Sequence, residues 1–352
     1  MFIMGKAAKG SMFGRDIGID LGTSTCLVSL KGRGVILQEP SVVAVDKHTG
    51  TVITVGEEAE HMLSHTPGDL VAVRPLRTGV ISDYAMTERI LREALRKTSG
   101  SRVFKPRLVI SVPVSITEVE ERALIDAGLQ AGARRVYLLE EPLAAALGAG
   151  IDITKADGNM VLDIGAGSTE IAVLSLSSIV ESTSLKAAGN QFDEAIVKYI
   201  RRKHNVLIGE RIAEDLKRRI GCVVPRLLEV STEVKGRSLT TGLPETFTIT
   251  STDMVQAVQP VTSQILESLQ TMLERTPPEL VSDIEKNGIL LTGGGSLLWG
   301  FDQLITKHTG IKTRVLDDPI SVVALGTGKT LEHLGNMQEG MKSASLHKAM
   351  KP

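Results

Sequence analysis

One pattern of apolar and polar positions occurs twice along the chain. Residues 17–19 (Ile-Gly-Ile) and 160–162 (Met-Val-Leu) each run into an aspartate and a turn of glycines and hydroxyls, and apolar residues resume at 27–30 and 171–174. Short apolar runs on both sides of such a turn predict strand, tight turn, strand. The turns read Asp20-Leu21-Gly22-Thr23-Ser24-Thr25 and Asp163-Ile164-Gly165-Ala166-Gly167-Ser168-Thr169. A third glycine turn, Thr292-Gly293-Gly294-Gly295-Ser296, follows the apolar run 288–291 and is expected to lead into a helix.

Between these turns the pattern switches repeatedly from strand to helix. Residues 34–45 and 52–55 read as extended around a turn at 47–50, and a short helix over 57–63 is stopped at Thr66-Pro67-Gly68. Ile90, Leu91, Ala94 and Leu95 have helical spacing within 87–97. A buried strand at 108–112 ends at Pro113, and Thr117 with Glu120 forms a capping box for a helix reaching about residue 131. The strand at 137–139 leads to Glu140-Glu141-Pro142 and a small-residue helix over 143–149. The second half repeats the plan: helices at 193–202 and 210–220, short strands within 230–249, a long helix over 253–274 with a bend expected at Pro260, and a closing helix over 322–334.

Such an order argues for a layered α/β fold with two mixed-sheet cores. The expected division is a terminal segment 1–15, a first core of 16–32 and 79–150 with an insertion 33–78, a second core of 151–190 and 250–334 with an insertion 191–249, and a flexible tail 335–352. A chain of 352 residues has ample length for both cores. Lysine plus arginine (40) almost cancels aspartate plus glutamate (41), and 3% aromatic content removes the stacking platforms of single-strand binders, so nucleic acid is not an expected partner. Cys26 and Cys222 stand apart with no CxxC or histidine company, which argues against a disulfide framework or zinc site and for a reducing compartment. No apolar run approaches the ~20 residues that span a bilayer. The beginning is basic and apolar, with Phe2, Ile3, Met12 and Phe13 among Lys6, Lys9 and Arg15, and reads as a weak interfacial anchor effective only in many copies. Val103 and Phe104 lie between Arg102 and Lys105 in a loop that exposes them.

The duplicated turn carries the chemistry. Glycine admits close backbone approach, and successive turn N–H groups form an anion nest. Two such hairpins facing each other can clamp a polyphosphate. The aspartates repel phosphate unless a hydrated divalent cation lies between, and Mg²⁺ suits that role. The implied ligand is a Mg-nucleotide, with Gly293 to Ser296 backing the nucleoside. Glu141, read as the end of a core strand, can orient or deprotonate a water for attack on the γ-phosphate, although spacing does not choose between it and Glu140. Other motifs fail on inspection. Gly326-Thr327-Gly328-Lys329-Thr330 resembles a Walker A ending, but position 323 is Val and the segment reads as helix. Gly165-Ala166-Gly167 has Glu170 where a dinucleotide fingerprint needs glycine, no G-x-S-x-G follows a strand, and the His61/His65 pair lacks a third ligand.

These residues resemble the actin, heat-shock chaperone and sugar-kinase superfamily and, more closely, the bacterial MreB-type actins. The likeness runs over about 16–334 and rests on Asp16 to Thr25, Glu39-Pro40-Ser41-Val42-Val43-Ala44, Arg74-Pro75-Leu76, Gly79-Val80-Ile81, Glu141-Pro142, Leu207-Ile208-Gly209-Glu210, Arg275-Thr276-Pro277-Pro278-Glu279-Leu280 and Leu291 to Gly295. The resemblance implies an actin-like two-lobed fold with ATP and Mg²⁺ in the interlobe cleft. Asp20 with Gly22, Thr23, Ser24 and Thr25 would be the first phosphate loop, and Asp163 with Gly165, Ala166, Gly167 and Ser168 the second, both aspartates reaching the metal through water. Glu141 would position the hydrolytic water, with Ser168 helping to hold it. Glu210, Glu214 and Lys217 would flank the adenosine, with Gly293, Gly294, Gly295 and Ser296 behind it. Val103-Phe104 and the first residues would meet the membrane. The resemblance further implies an ATPase that polymerises on the inner face of the cell membrane and works with paralogues and the wall-elongation machinery to set cell shape. Ala166 and Ser168 depart from the family's Gly-Gly-Gly-Thr-Thr, and Ala187-Ala188-Gly189-Asn190 from its Gly-Gly-Asp, which implies slower hydrolysis and a specialised paralogue. A chaperone-like ATPase would need a substrate domain that the short tail after Leu334 does not supply, and a small-molecule kinase would need a further catalytic aspartate at a strand end.

Overall fold

In the computed structural model, residues 16–65, 68–77, 80–99, 105–333 and 342–345 are described. Both predicted hairpins form. Asp16–Leu21 pairs antiparallel with Thr25–Leu30, and Asn159–Ile164 pairs antiparallel with Thr169–Ser175. Each hairpin sits inside a larger mixed sheet. In the first, the order runs from Gly34–Pro40 through Thr25–Leu30, Asp16–Leu21 and Arg107–Val112 to Arg135–Glu140, the last three being parallel. In the second, it runs from Ser178–Leu185 through Thr169–Ser175, Asn159–Ile164 and Ile289–Thr292 to Thr313–Val315. The parallel strands at the centre of each sheet are apolar on both faces, as strands covered on two sides must be.

Two three-stranded sheets are added to this duplicated plan. One, Val43–Asp46 with Val52–Val55 and Leu70–Val73, falls within 33–78; the other, Val206–Leu207 with Ser231–Ser238 and Pro244–Thr250, falls within 191–250. Each large sheet has its own apolar core, and a third core joins them. There Val109 and Leu139 of the first sheet and Val161, Leu174 and Leu290 of the second pack around helices Glu141–Gly148 and Val322–His333.

Several boundaries differ from expectation for local reasons. The helix expected over 87–97 spans Tyr84–Thr98, because the Asp83 carboxylate caps it by accepting the Met86 N–H at 2.9 Å. The helix expected from residue 193 begins at Gly189 and has no side-chain cap. The long helix Ser251–Arg275 continues through Pro260. In the tail read as flexible, Lys342–Ser345 forms a strand that pairs antiparallel with Arg135–Glu140. Phe2, Ile3, Met12, Phe13, Val103 and Phe104 lie outside the described residues.

The rejected phosphate-loop motif is helical, and its glycines have a packing role. A Cβ on Gly326 would stand 1.8 Å from the Ala144 carbonyl oxygen, and one on Gly148 would stand 1.9 Å from that of Val322. The two helices at the junction of the sheets therefore touch backbone to backbone. Gly150, by contrast, needs glycine only for its φ of +79°, with open space around it. Gly326→Ala should lower stability by about 3 kcal/mol through overpacking, whereas Gly150→Ala should cost about 1 kcal/mol through left-handed strain alone. Urea unfolding of the two variants checks this, and equal losses would contradict the packing account.

Candidate functional site

The two hairpin tips have the same local geometry. The Gly22 N–H donates to the Thr25 carbonyl at 3.1 Å, and the Gly165 N–H donates to that of Ser168 at 2.9 Å. Neither glycine has positive φ. A Cβ at Gly22 or Gly165 would instead lie 2.9 or 3.1 Å from the carbonyl oxygen across the turn, so it is tightness that selects glycine here. Each tip is also latched from outside. Ser41 donates its N–H to Ser24 and its hydroxyl to the Gly22 carbonyl, at 2.9 and 2.8 Å. The N–H groups of Gly189 and Asn190 donate to the carbonyls of Gly165 and Ala166, at 3.0 and 2.8 Å. These latter bonds satisfy the first donors of the helix Gly189–His204, which explains its early start without a side-chain cap.

Behind the tips, carboxylates from different elements share one region. Asp20, next to last in the first strand of one hairpin, accepts from the Ser111 hydroxyl at 2.8 Å. Asp163 holds the same position in the other and is buried. Glu141 is not a strand residue: the strand ends at Glu140, and Glu141 opens the next helix just before Pro142, whose fixed φ suits a first turn. Burial pushes the Asp20 carboxyl up to about 6 against the lowering effect of Ser111. Burial, then the charges of Asp20 and Glu170, push Asp163 up to about 8. Glu141 lies well above the usual carboxylate range through burial and the neighbouring Glu170, Asp163 and Asp20. Because each group feels the next, the pair of hairpins and the start of the Glu141 helix meet at one acidic centre.

Sequence reasoning missed Glu170. It faces Asp163 across the second hairpin, is buried, and accepts from the Ser184 hydroxyl at 2.6 Å and from the Val114 N–H at 3.3 Å. Val114 follows a strand of the first sheet, so this bond crosses between the two halves. Burial raises the Glu170 carboxyl, and hydrogen bonds from Ser184, Val114 and Ser168 oppose the rise. The signal was available in its position: a carboxylate placed directly opposite Asp163 in a hairpin must share its surroundings.

The third turn lies against the second hairpin. Gly293 has a φ of +79°, and a Cβ there would meet Asp163 Oδ1 and the Ile164 carbonyl oxygen, each at 2.3 Å. Gly294 is open, and the buried Ser296 hydroxyl donates to the Gly293 carbonyl at 2.6 Å. Of the three residues expected beside a nucleoside, Lys217 is drawn to the start of the helix Gly189–His204. Its ammonium donates to the Gly189 carbonyl at 2.9 Å and to Asp193 Oδ2 at 2.7 Å. Burial raises Asp193 to about 6, and Lys217 opposes this. Glu214 lies one helical turn before Arg218 and pairs with it, while Glu210 is exposed at the helix start. Arg74, also unassigned by the sequence reading, reaches the Ser24 carbonyl and hydroxyl at 3.5 Å. Both cysteines are buried and free.

Comparison with known proteins shows the family and the fold. The MreB/Mbl protein family profile matches residues 14–339. The chain is 46% identical over 327 residues to the cell shape-determining protein Mbl of Bacillus cereus, covering 93% of this chain and 98% of that one. It is 44% identical over 327 residues to the cell shape-determining protein MreB of Escherichia coli, covering 91% and 94%. Among solved structures, MreB 5 of Spiroplasma citri bound to AMPPNP superposes with a TM-score of 0.87 at 35% identity, covering 92% of this chain and 98% of that one.

A carboxyl whose folded value lies above its ordinary one holds its proton more tightly in the fold. What these two groups contribute to stability is therefore fully present below about pH 4. It is lost as pH rises toward the folded values of about 6 for Asp20 and about 8 for Asp163. Asp163→Asn should stabilise the nucleotide-free protein at pH 8 by on the order of a few kcal/mol, with the gain vanishing near pH 4. Thermal melts across that range check it, and a gain independent of pH would contradict the assignment.

Proposed function

Because the chain belongs to the MreB/Mbl protein family, we propose that it binds and hydrolyses ATP between its two hairpins and polymerises into actin-like filaments that organise cell shape. The observation that carries this reading is the meeting of Asp20, Asp163, Glu141 and Glu170 at one centre, where Asp20 and Glu170 both raise Asp163 and Glu141, and Asp163 raises Glu141 further. Such a centre is suited to a cationic visitor. Among the described residues no three His, Cys, Asp or Glu side chains converge as a chelate, so the donor set fits a metal held through water by Asp20 and Asp163. When bound, Mg²⁺ supplies charge neutralisation for the phosphates and lowers the pKa of the carboxylates around it.

The chain's own residues then have distinct tasks. The backbone N–H groups of 22–25 and 165–168 receive phosphate oxygens, with the outer latches keeping both tips in one shape. Glu141, at the first turn of its helix, sits in the positive end of the helix dipole, which favours its ionised form once the neighbouring charges are neutralised. It orients and accepts a proton from the attacking water. Glu170 acts through Ser168, whose hydroxyl it restrains on the second loop. Lys217 and the open backbone at Gly294 border the nucleoside. Ala166 and Ser168 make turnover slow, because the added methyl and the freer hydroxyl hold the water less firmly.

Closure on ATP favours the contact between successive copies, and hydrolysis weakens it. Among the described residues no helix is long and apolar enough to cross a membrane. Attachment to the membrane face is assigned to Phe2, Ile3, Met12, Phe13, Val103 and Phe104, each weak alone and effective along a filament. Other MreB-type chains and the wall-elongation machinery are the partners this places nearby.

Glu141→Gln should retain nucleotide affinity and lose about 10²–10⁴-fold in single-turnover phosphate release. Release at the parent rate would remove Glu141 from its role. Phe104→Ala filaments should still scatter light after ATP addition but no longer co-sediment with anionic vesicles; unchanged co-sedimentation would detach this loop from the membrane.

A further inference from the structure

The two large sheets repeat the same five-strand plan, but the first has a sixth strand. Lys342–Ser345 lies outside Arg135–Glu140 at an edge whose counterpart in the second sheet, Thr313–Val315, carries no added strand among the described residues. It also lies beyond residue 339, where the match to the family ends. The extra strand is thus a feature of this chain's own tail.

The two edges differ in what they would expose. Thr313–Val315 has three residues with an exposed arginine in the middle, which is a short, charged and self-protecting edge. Arg135–Glu140 has six residues, and Val136, Tyr137, Leu138 and Leu139 are all buried. Its inner edge is paired with Arg107–Val112 over its full length. On its outer edge the tail segment pairs with it in the register Arg135 to Ser345, Val136 to Ala344, Tyr137 to Ser343 and Leu138 to Lys342. A long, flat, apolar edge is a template for any extended chain, including the same edge of another copy. Glu140 ends this strand and Glu141 begins the helix after it, so whatever occupies the edge braces the strand that delivers the acidic centre.

We propose that the outer edge of Arg135–Glu140 is a strand-docking site for an extended peptide, and that its occupant is the chain's own segment 342–345, folded back as a clasp. The clasp keeps subunits from pairing edge to edge while filaments assemble. This assignment stands on topology and does not depend on the nucleotide reading.

Hydrogen exchange of the full chain tests it. Amides of 135–138 that face outward should be protected. Ala344→Pro and Ser343→Pro, of which one must remove a pairing N–H, should speed that exchange at least tenfold in one variant, with Ala349→Pro as the neutral control. Unchanged exchange in both strand variants overturns the proposal. Because a freed edge can aggregate, a second measurement keeps every copy intact. Arg135→Cys combined with Ser345→Cys should cross-link within one chain under mild oxidation, since directly opposed residues share a face. Arg135→Cys combined with Ala344→Cys should cross-link far less. Equal cross-linking in both pairs overturns the register, and cross-linking chiefly between chains overturns the clasp in favour of exchange between copies. A synthetic peptide of residues 340–348 should bind a chain ending at 339 and not the full chain; binding to neither counts against the site.

Discussion

Like charges held close together in a poorly solvated place are the constraint on which the rest of this molecule depends. Asp20, Asp163, Glu141 and Glu170 come from separate strands and a helix, and the fold brings them together although each makes its neighbours harder to ionise. A core alone has no reason to keep that arrangement, since replacing any of the four by a neutral residue relieves repulsion. Its persistence makes sense as a readiness for positive charge from outside. On the function proposed above, a bound cation relieves that repulsion, and the free energy released is available to shift the relation between the two halves.

The halves are joined in a manner that suits such a shift. The third core contains residues of both sheets, and at its middle two helices meet through glycines with no side chain between them. A contact of backbone against backbone fixes a distance more firmly than an angle. At the acidic centre the Val114 N–H, from just beyond a strand of the first sheet, donates to Glu170 of the second at 3.3 Å. Among the described residues the two halves thus meet both at a packed junction and through a hydrogen bond at the acidic centre.

Much of this was legible in the sequence because the duplicated hairpin is a local object. Its apolar runs, its glycines and its aspartates lie within a dozen residues, and strand pairing at that range follows from pattern alone. The capping box of Thr117 and Glu120 was legible for the same reason, and both reciprocal bonds form. The misreadings concern long-range partners. The helix starting at Gly189 is capped by carbonyls of residues more than twenty positions earlier, which no local motif encodes. Glu141 was placed at a strand end because nothing in the spacing shows that the chain turns into helix one residue sooner. Glu170 was passed over as a spoiled glycine motif, although its register opposite Asp163 was implied once the hairpin was drawn. The tail strand escaped notice because four small or polar residues carry no pattern of their own; the partner edge supplies all of it.

The glycine contact between the helices Glu141–Gly148 and Val322–His333 also bears on how such a chain can diverge. Surfaces, loops and the tail can drift widely while the architecture survives. At 148 and 326 there is no intermediate step, because even a single methyl group would overlap a carbonyl oxygen on the opposing helix. Descendants of this sequence are free to acquire new partners and new speeds, but any side chain at this joint is carried at a cost in stability.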